Sequence, residues 1–181
     1  MLVFAVVLCL VAGCAIGAQH PDYHCKGGPI EATCIIEHGK VKGFVVLSQK
    51  HGKAPLSVKG EVSGLSHGEY GIHVHEFGDL SKGCKSTGEI FNLYGNNHGE
   101  NRPMGVLGNI YAEKHGVASI NMNDHKLSLC GPHSIMGRSI VIHHHDHHGL
   151  GLGGHAESWK SGNAGARIGC CVIEAAKLHG H

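Results

Sequence analysis

The stretch GIHVHEFGD at residues 71–79 decides how this chain folds. Ile72 and Val74 alternate with His73 and His75, and a period of two is typical of a β-strand, whose successive side chains point to opposite faces. The two histidines are therefore expected side by side on one face of one strand. Two imidazoles in that arrangement can chelate one metal ion, although such a pair, taken alone, is more often a pair of ordinary surface or core histidines.

Short apolar runs between Gly-rich turns extend the strand pattern along the chain. There are 29 glycines, few aromatic residues and no long 3.6-residue periodicity, so many short strands are expected. Segments 77–109 and 144–167 are loop-like, and loops of that length are usually functional. We predict an all-β Greek-key sandwich or barrel with two long loops, with strands near 33–37, 43–49, 56–62, 71–76, 118–122, 139–143 and 171–174.

Residues 1–18, MLVFAVVLCLVAGCAIGA, predict a signal peptide. The apolar run is shorter than the roughly 20 residues that a membrane span needs, and small residues follow it. VAGC at 11–14 also resembles a bacterial lipoprotein box, but the basic start of such signals is missing. Cleavage after Gly17 would leave Ala18-Gln19-His20, which can wrap Cu(II); cleavage after Ala18 is equally compatible.

We therefore expect a secreted, extracellular protein with no membrane anchor and a single domain at 19–181. This domain would include a His-rich loop at 143–155 and a short His-containing tail. The 15 Lys and Arg nearly balance the 14 Asp and Glu, so no nucleic-acid partner is expected. The 19 histidines indicate metal binding or a pH-dependent charge. An oxidising compartment favours disulfides among the six cysteines outside the signal, which are Cys25, Cys34, Cys84, Cys130, Cys170 and Cys171.

Residues 71–79 closely resemble the copper-ligand strand of copper/zinc superoxide dismutases. Matching motifs follow in the family's order and extend the resemblance over residues 33–175; they are Gly83-Cys84, Phe91-Asn92, His98-Gly99, Leu107-Gly108-Asn109, Gly137-Arg138, Val141-Ile142-His143, Gly151-Leu152-Gly153-Gly154 and GNAGAR at 162–167.

The resemblance implies a site and a disulfide. His73, His75 and His143 fall on the family's copper ligands, and three imidazoles suit Cu(II). Arg167 falls on the catalytic-site arginine that attracts the small anion. Cys84 and Cys170 fall on the disulfide that ties the first long loop to the barrel. The other pairings stay open: Cys25 with Cys34, or either of them with Cys130 or Cys171.

The chain differs from the family mainly at the positions of the zinc ligands. The histidine that bridges copper and zinc falls on Ile90, a zinc histidine on Pro103 and the zinc aspartate on Val106. The aspartate that links the two sites falls on His148. Only His98 remains, and one imidazole does not make a structural zinc site, which needs about four ligands. We expect one copper ion, no zinc at the family site, and His98 as a loop histidine.

The run HHHDHH at 143–148 adds imidazoles where the family has a charge-steering loop. Such tracts bind transition metals, so we predict an accessory metal surface; a solvated polar loop is the alternative. Its residues are His144, His145, Asp146, His147, His148 and His155.

Loss of the bridging histidine with retention of the copper set favours a secreted copper-binding protein. We interpret it as a protein for metal binding, transport or scavenging with weak or no dismutase activity. It is similar to the His-rich, dismutase-like plasma proteins of bivalve haemolymph (the cavortin, dominin and pernin group). The alternative is an active extracellular copper-only superoxide dismutase in antioxidant defence, with superoxide as its substrate. A purely structural or adhesive module fits less well, and a homo-oligomer is left open.

Overall fold

The computed structural model of the protein describes residues 28–93, 103–144 and 165–176. These residues form ten β-strands and one 3₁₀ turn, Lys85–Thr87. None of the described helices is long and apolar enough to span a membrane. The strands are β1 Ile30–His38, β2 Val41–Gln49, β3 Leu56–Ser63, β4 Gly68–His75, β5 Ser81–Cys84, β6 Val106–Ala112, β7 Ala118–Asp124, β8 Ser139–His143, β9 Arg167–Val172 and β10 Glu174–Ala175.

Nine of these strands form one sheet in the order β10-β1-β2-β3-β7-β6-β4-β8-β9, and all its pairs are antiparallel. Only Ile173 separates β9 from β10, so the two ends of this order meet in one chain segment and the sheet is a nearly closed barrel. The connections from β3 to β4 and from β7 to β8 pass over intervening strands, which is the Greek-key pattern. The predicted all-β Greek-key fold is confirmed.

Strand β4 is buried on both faces, which is why it can carry histidines inside the protein. Ile72 and Val74 belong to the main hydrophobic core, together with Ile140 and Ile142 of β8. The alternation of side chains then turns the histidines of β4 to the opposite face. That face is buried too, because the chain around β5 covers it.

Six of the seven predicted strands are present, mostly with longer bounds, and the one predicted at 171–174 is divided at Ile173 between the end of β9 and β10. The prediction that segment 77–109 is loop-like was wrong at two described places, β5 and the start of β6. Strand β5 has only four residues, too few for an alternating pattern to show. In β6, the left-handed Gly108 (φ 146°) and a bulge break the alternation. Residues 145–164 of the second predicted loop lie outside the described residues.

Two disulfides hold β9 from opposite faces. Cys170 bonds to Cys84 at the end of β5, as the family resemblance implies, and the neighbouring Cys171 bonds to Cys34 in β1. Strands β1 and β9 are not hydrogen-bonded neighbours in the sheet, so the Cys34–Cys171 bond closes the barrel seam covalently. Cys130 is also disulfide-bonded, and Cys25 lies outside the described residues.

Replacing Cys34 and Cys171 together by alanine should lower the free energy of unfolding by about 4 kcal/mol, because the unfolded chain regains the entropy of a long loop. Guanidinium unfolding of the double variant against the parent protein measures this loss. A change below about 1 kcal/mol would show that the seam is held without the disulfide.

Candidate metal centre

The pairing of β4 with β8 brings three histidines together. In this register Gly71 lies opposite His143, and His73 lies opposite Val141. Residues opposite each other in an antiparallel pair share a face, so His143 lies on the same face as the β4 histidines. The centroid of its ring lies 4.7 Å from that of His73 and 5.3 Å from that of His75. One ligand nitrogen from each of the three histidines lies within 4.8 Å of the others.

Two β-bulges adjoin this cluster. The β4–β6 register shifts between Ile72 and His73, and the β8–β9 register shifts between Ile142 and His143. A bulge adds one residue to a strand and changes the direction of nearby side chains. The second bulge places Arg167 directly opposite His143. The irregular backbone therefore determines that this charged residue lies next to the cluster.

Backbone carbonyls fix the orientation of two of the rings. Nδ1 of His75 lies 2.9 Å from the carbonyl oxygen of Gly88, and Nδ1 of His143 lies 3.2 Å from that of Gly165. Since a carbonyl can only accept, each Nδ1 carries the proton and donates it. In each neutral ring Nε2 is left with a lone pair, and the two Nε2 atoms are 3.1 Å apart.

Both rings are neutral at pH 7. Burial lowers the pKa of His75 from 6.5 to about 3 and that of His143 to about 4. The carbonyl hydrogen bonds oppose these shifts, and the positive charge of Arg167 adds to them. Two neutral rings therefore direct lone pairs toward each other at 3.1 Å, which is unfavourable without a cation between them.

A metal ion fits this arrangement. Imidazole ligands lie about 2.0–2.1 Å from such an ion, so two of them at 90–109° are about 2.8–3.4 Å apart. The observed separation of the two Nε2 atoms falls in that interval. Three imidazoles, two of them with Nδ1 bound to a backbone carbonyl, are a donor set typical of first-row divalent metals.

Arg167 is held beside the three-histidine cluster by Cys84 and Thr87, which belong to the chain segment that covers the cluster. Its Nη1 donates to the carbonyl oxygen of Cys84 at 3.2 Å and to Oγ1 of Thr87 at 3.0 Å. The buried Thr87 hydroxyl donates in turn to the Cys84 carbonyl at 2.9 Å. Because the Cys84–Cys170 disulfide ties this loop to β9, the half-buried guanidinium has a defined position.

The sequence analysis predicted no anchoring role for Gly88, Gly165 or Thr87. Gly88 and Gly165 act through carbonyl oxygens that any residue could supply, so no side-chain signal marks them. Thr87 was detectable only as a hydroxyl near Cys84, which is too common a feature to predict a role.

Apolar side chains lie across from the β4 histidines. Ile90 forms an isolated bridge with His75, and Val106 lies opposite His73 in the β4–β6 register. Ile90, Val106 and Pro103 are all buried. These three positions therefore supply neither a ligand atom nor a titratable proton.

The remaining predicted site residues are mostly outside the described residues. His144 is described: it is exposed, and its ring lies edge-on to Tyr70 with centroids 6.1 Å apart. The accessory metal surface and the role of His98 stay predictions, because the structure does not describe His98, His145, Asp146, His147, His148 or His155.

The metal-free protein should lose stability as the pH falls below 6.5. Unfolded histidines bind protons there, whereas folded His75 and His143 exclude them until about pH 3 and 4. Each ring contributes up to about 1.4 kcal/mol per pH unit. Urea unfolding gives the free energy of unfolding at pH 7 and at pH 5. The difference between these two values should be smaller in His75→Gln than in the parent. The control His125→Gln, at an exposed position, should show the same difference as the parent. Equal differences in all three proteins would contradict this account.

The residues of this site lie within a match to a known protein family. The family model described as copper/zinc superoxide dismutase (SODC) matches residues 41–173. The match spans the three clustered histidines, Arg167 and the Cys84–Cys170 disulfide. The chain belongs to the copper/zinc superoxide dismutase family.

Proposed function

We propose that the protein binds one copper ion through His73, His75 and His143 and holds, transports or scavenges copper, with weak or no dismutase activity. The observation that carries this proposal is the 3.1 Å approach of two Nε2 lone pairs within a buried cluster of three imidazoles. Such a set favours binding of Cu(II) over an empty site.

Low turnover is proposed because the described site has an apolar residue at the position of the family's proton donor. Bound copper would supply one-electron exchange, and peroxide formation also needs protons. The Nδ1 protons of His75 and His143 are committed to carbonyl oxygens. Ile90, at the position of the family's bridging histidine, has no proton to give. General-acid help of this kind is typically worth about 10²–10⁴ in rate.

Loss of the zinc site is part of the same proposal. Pro103 and Val106 fall on two zinc ligands of the family, and both are buried apolar residues. His148 falls on the position of the aspartate that links the family's copper and zinc sites. His98 would then be the only zinc ligand that remains, and one imidazole does not hold a structural zinc ion.

The proposed setting is extracellular. The disulfides Cys34–Cys171 and Cys84–Cys170 are compatible with an oxidising compartment, and residues 1–18 have the pattern of a signal peptide. A plasma role like that of the His-rich bivalve haemolymph proteins fits the histidine content. The accessory metal surface at 144–155 and self-association belong to this proposal as well.

One observation favours the alternative, a copper-only extracellular superoxide dismutase. Arg167 is anchored at Cys84 and Thr87 directly beside His143. A guanidinium held there would draw a small anion to the metal, which is of use to an enzyme and of none to a carrier.

Copper loading separates the two functions. The purified protein is loaded with Cu(II), bound metal is counted, and superoxide decay is measured per copper. We expect tight binding of one copper at the cluster and negligible turnover. His143→Ala should abolish that tight site, and the exposed-residue control His125→Ala should leave it intact. Decay near the diffusion ceiling of about 10⁸–10⁹ M⁻¹s⁻¹ would overturn the carrier function in favour of the enzyme.

Restoring an imidazole at position 90 should raise turnover. Ile90→His places a titratable ring next to His75, and superoxide decay per copper should rise about tenfold or more because a proton donor returns. Ile90→Leu controls for repacking and should stay at the parental rate. Equal rates in the two variants would show that proton supply at residue 90 does not limit the reaction.

A further inference from the structure

A second group of metal-ligating atoms lies around the Cys84–Cys170 disulfide. One imidazole nitrogen of His38 and the two Sγ atoms lie within 4.8 Å of one another. His38 ends β1, where it pairs with Val41 across the hairpin, and it is half-buried. While the disulfide is intact, the sulfur atoms are bonded to each other and are not available as thiolate ligands.

The backbone is arranged for this close approach. Gly83, immediately before Cys84, has a left-handed conformation (φ 60°), and a Cβ there would lie 3.1 Å from Cε1 of His38. The absence of a side chain lets the ring of His38 pack against the loop that carries Cys84. The other two members, Cys84 and Cys170, are 3% and 4% exposed, so both sulfur atoms are sheltered from water.

We propose that reduction of the Cys84–Cys170 disulfide creates a Cu(I) site made of two thiolates and the His38 imidazole. An external thiol reduces the bond: two RSH supply two electrons and two protons, and the products are two cysteine thiols and RSSR. Binding of Cu(I) then releases both thiol protons, leaving one copper with one nitrogen and two sulfur ligands. The site is distinct from the three-histidine cluster and is present only in the reduced chain.

The type and number of ligand atoms favour Cu(I) over Zn(II). Soft thiolates favour Cu(I), whereas structural zinc is almost always four-coordinate. The described residues supply three ligands here, which suits Cu(I) better than Zn(II). The Cα atoms of the two cysteines are 5.6 Å apart, so rotation of the side chains is enough to separate the sulfur atoms around an ion.

The surroundings favour the charge of such a complex. Two thiolates and Cu(I) carry a net charge of −1, and the guanidinium of Arg167 donates to the Cys84 carbonyl oxygen. A cavity of about 380 Å³ is lined by both His38 and Arg167, so the imidazole of the proposed site borders open space. The proposal stands whether or not the three-histidine cluster is a copper carrier.

Thiol alkylation read residue by residue tests the proposal. The full chain in a His143→Ala background is reduced without oxygen, mixed with one equivalent of Cu(I) or Zn(II), and treated with iodoacetamide. Mass spectrometry then gives the alkylation rate of each cysteine. Cu(I) should slow the alkylation of Cys84 and Cys170 about tenfold or more, and Zn(II) should slow it less.

The matched variants distinguish a specific site that includes His38 from nonspecific binding of the metal to cysteine thiols. His38→Ala should abolish the protection of Cys84 and Cys170, and His125→Ala, at an exposed position, should retain it. Circular dichroism reports whether the reduced chain stays folded. Protection unaffected by His38→Ala, protection confined to the other cysteines, stronger protection by Zn(II), or loss of fold with no protection would each overturn the proposal.

Discussion

The antiparallel pairing of β4 with β8 is the constraint on which the rest of the site depends. Gly71 opposite His143 sets which side chains share a face. A slip of one residue would turn His143 into the barrel and an isoleucine toward the β4 histidines. Burial of Ile72 and Ile142 in the core opposes such a slip, so the hydrophobic core enforces the geometry of the three-histidine cluster.

The loop after β4 serves both the fold and the site. Within a few residues it supplies the disulfide at Cys84, the Thr87 hydroxyl that holds Arg167, and the Gly88 carbonyl that orients His75. Closing this loop onto β9 therefore also sets the ring orientation of a ligand and the place of a charge. Reduction of the Cys84–Cys170 bond would weaken all three functions together, so the redox state of this bond would affect the three-histidine cluster.

Strict alternation in β4 made its strand and the shared face of His73 and His75 predictable from sequence alone. The convergence of His143 with them was accessible only through the family motifs, because it depends on a pairing between strands distant in sequence. The partner of Cys34 could not be chosen among the other cysteines, since the choice depends on how the barrel closes. The carbonyls of Gly88 and Gly165 were beyond prediction, because every residue has one.

The proposed role depends on a buried cluster of three histidines with apolar side chains around it. Ile90 and Val106 face the β4 histidines with groups that neither bind metal nor move protons. The most direct measurement is a crystal structure of the protein loaded with one equivalent of Cu(II), using the anomalous signal of copper. We expect one dominant peak about 2.0–2.1 Å from a nitrogen of each of His73, His75 and His143. A dominant peak elsewhere, with none among these three rings, would contradict the proposed role.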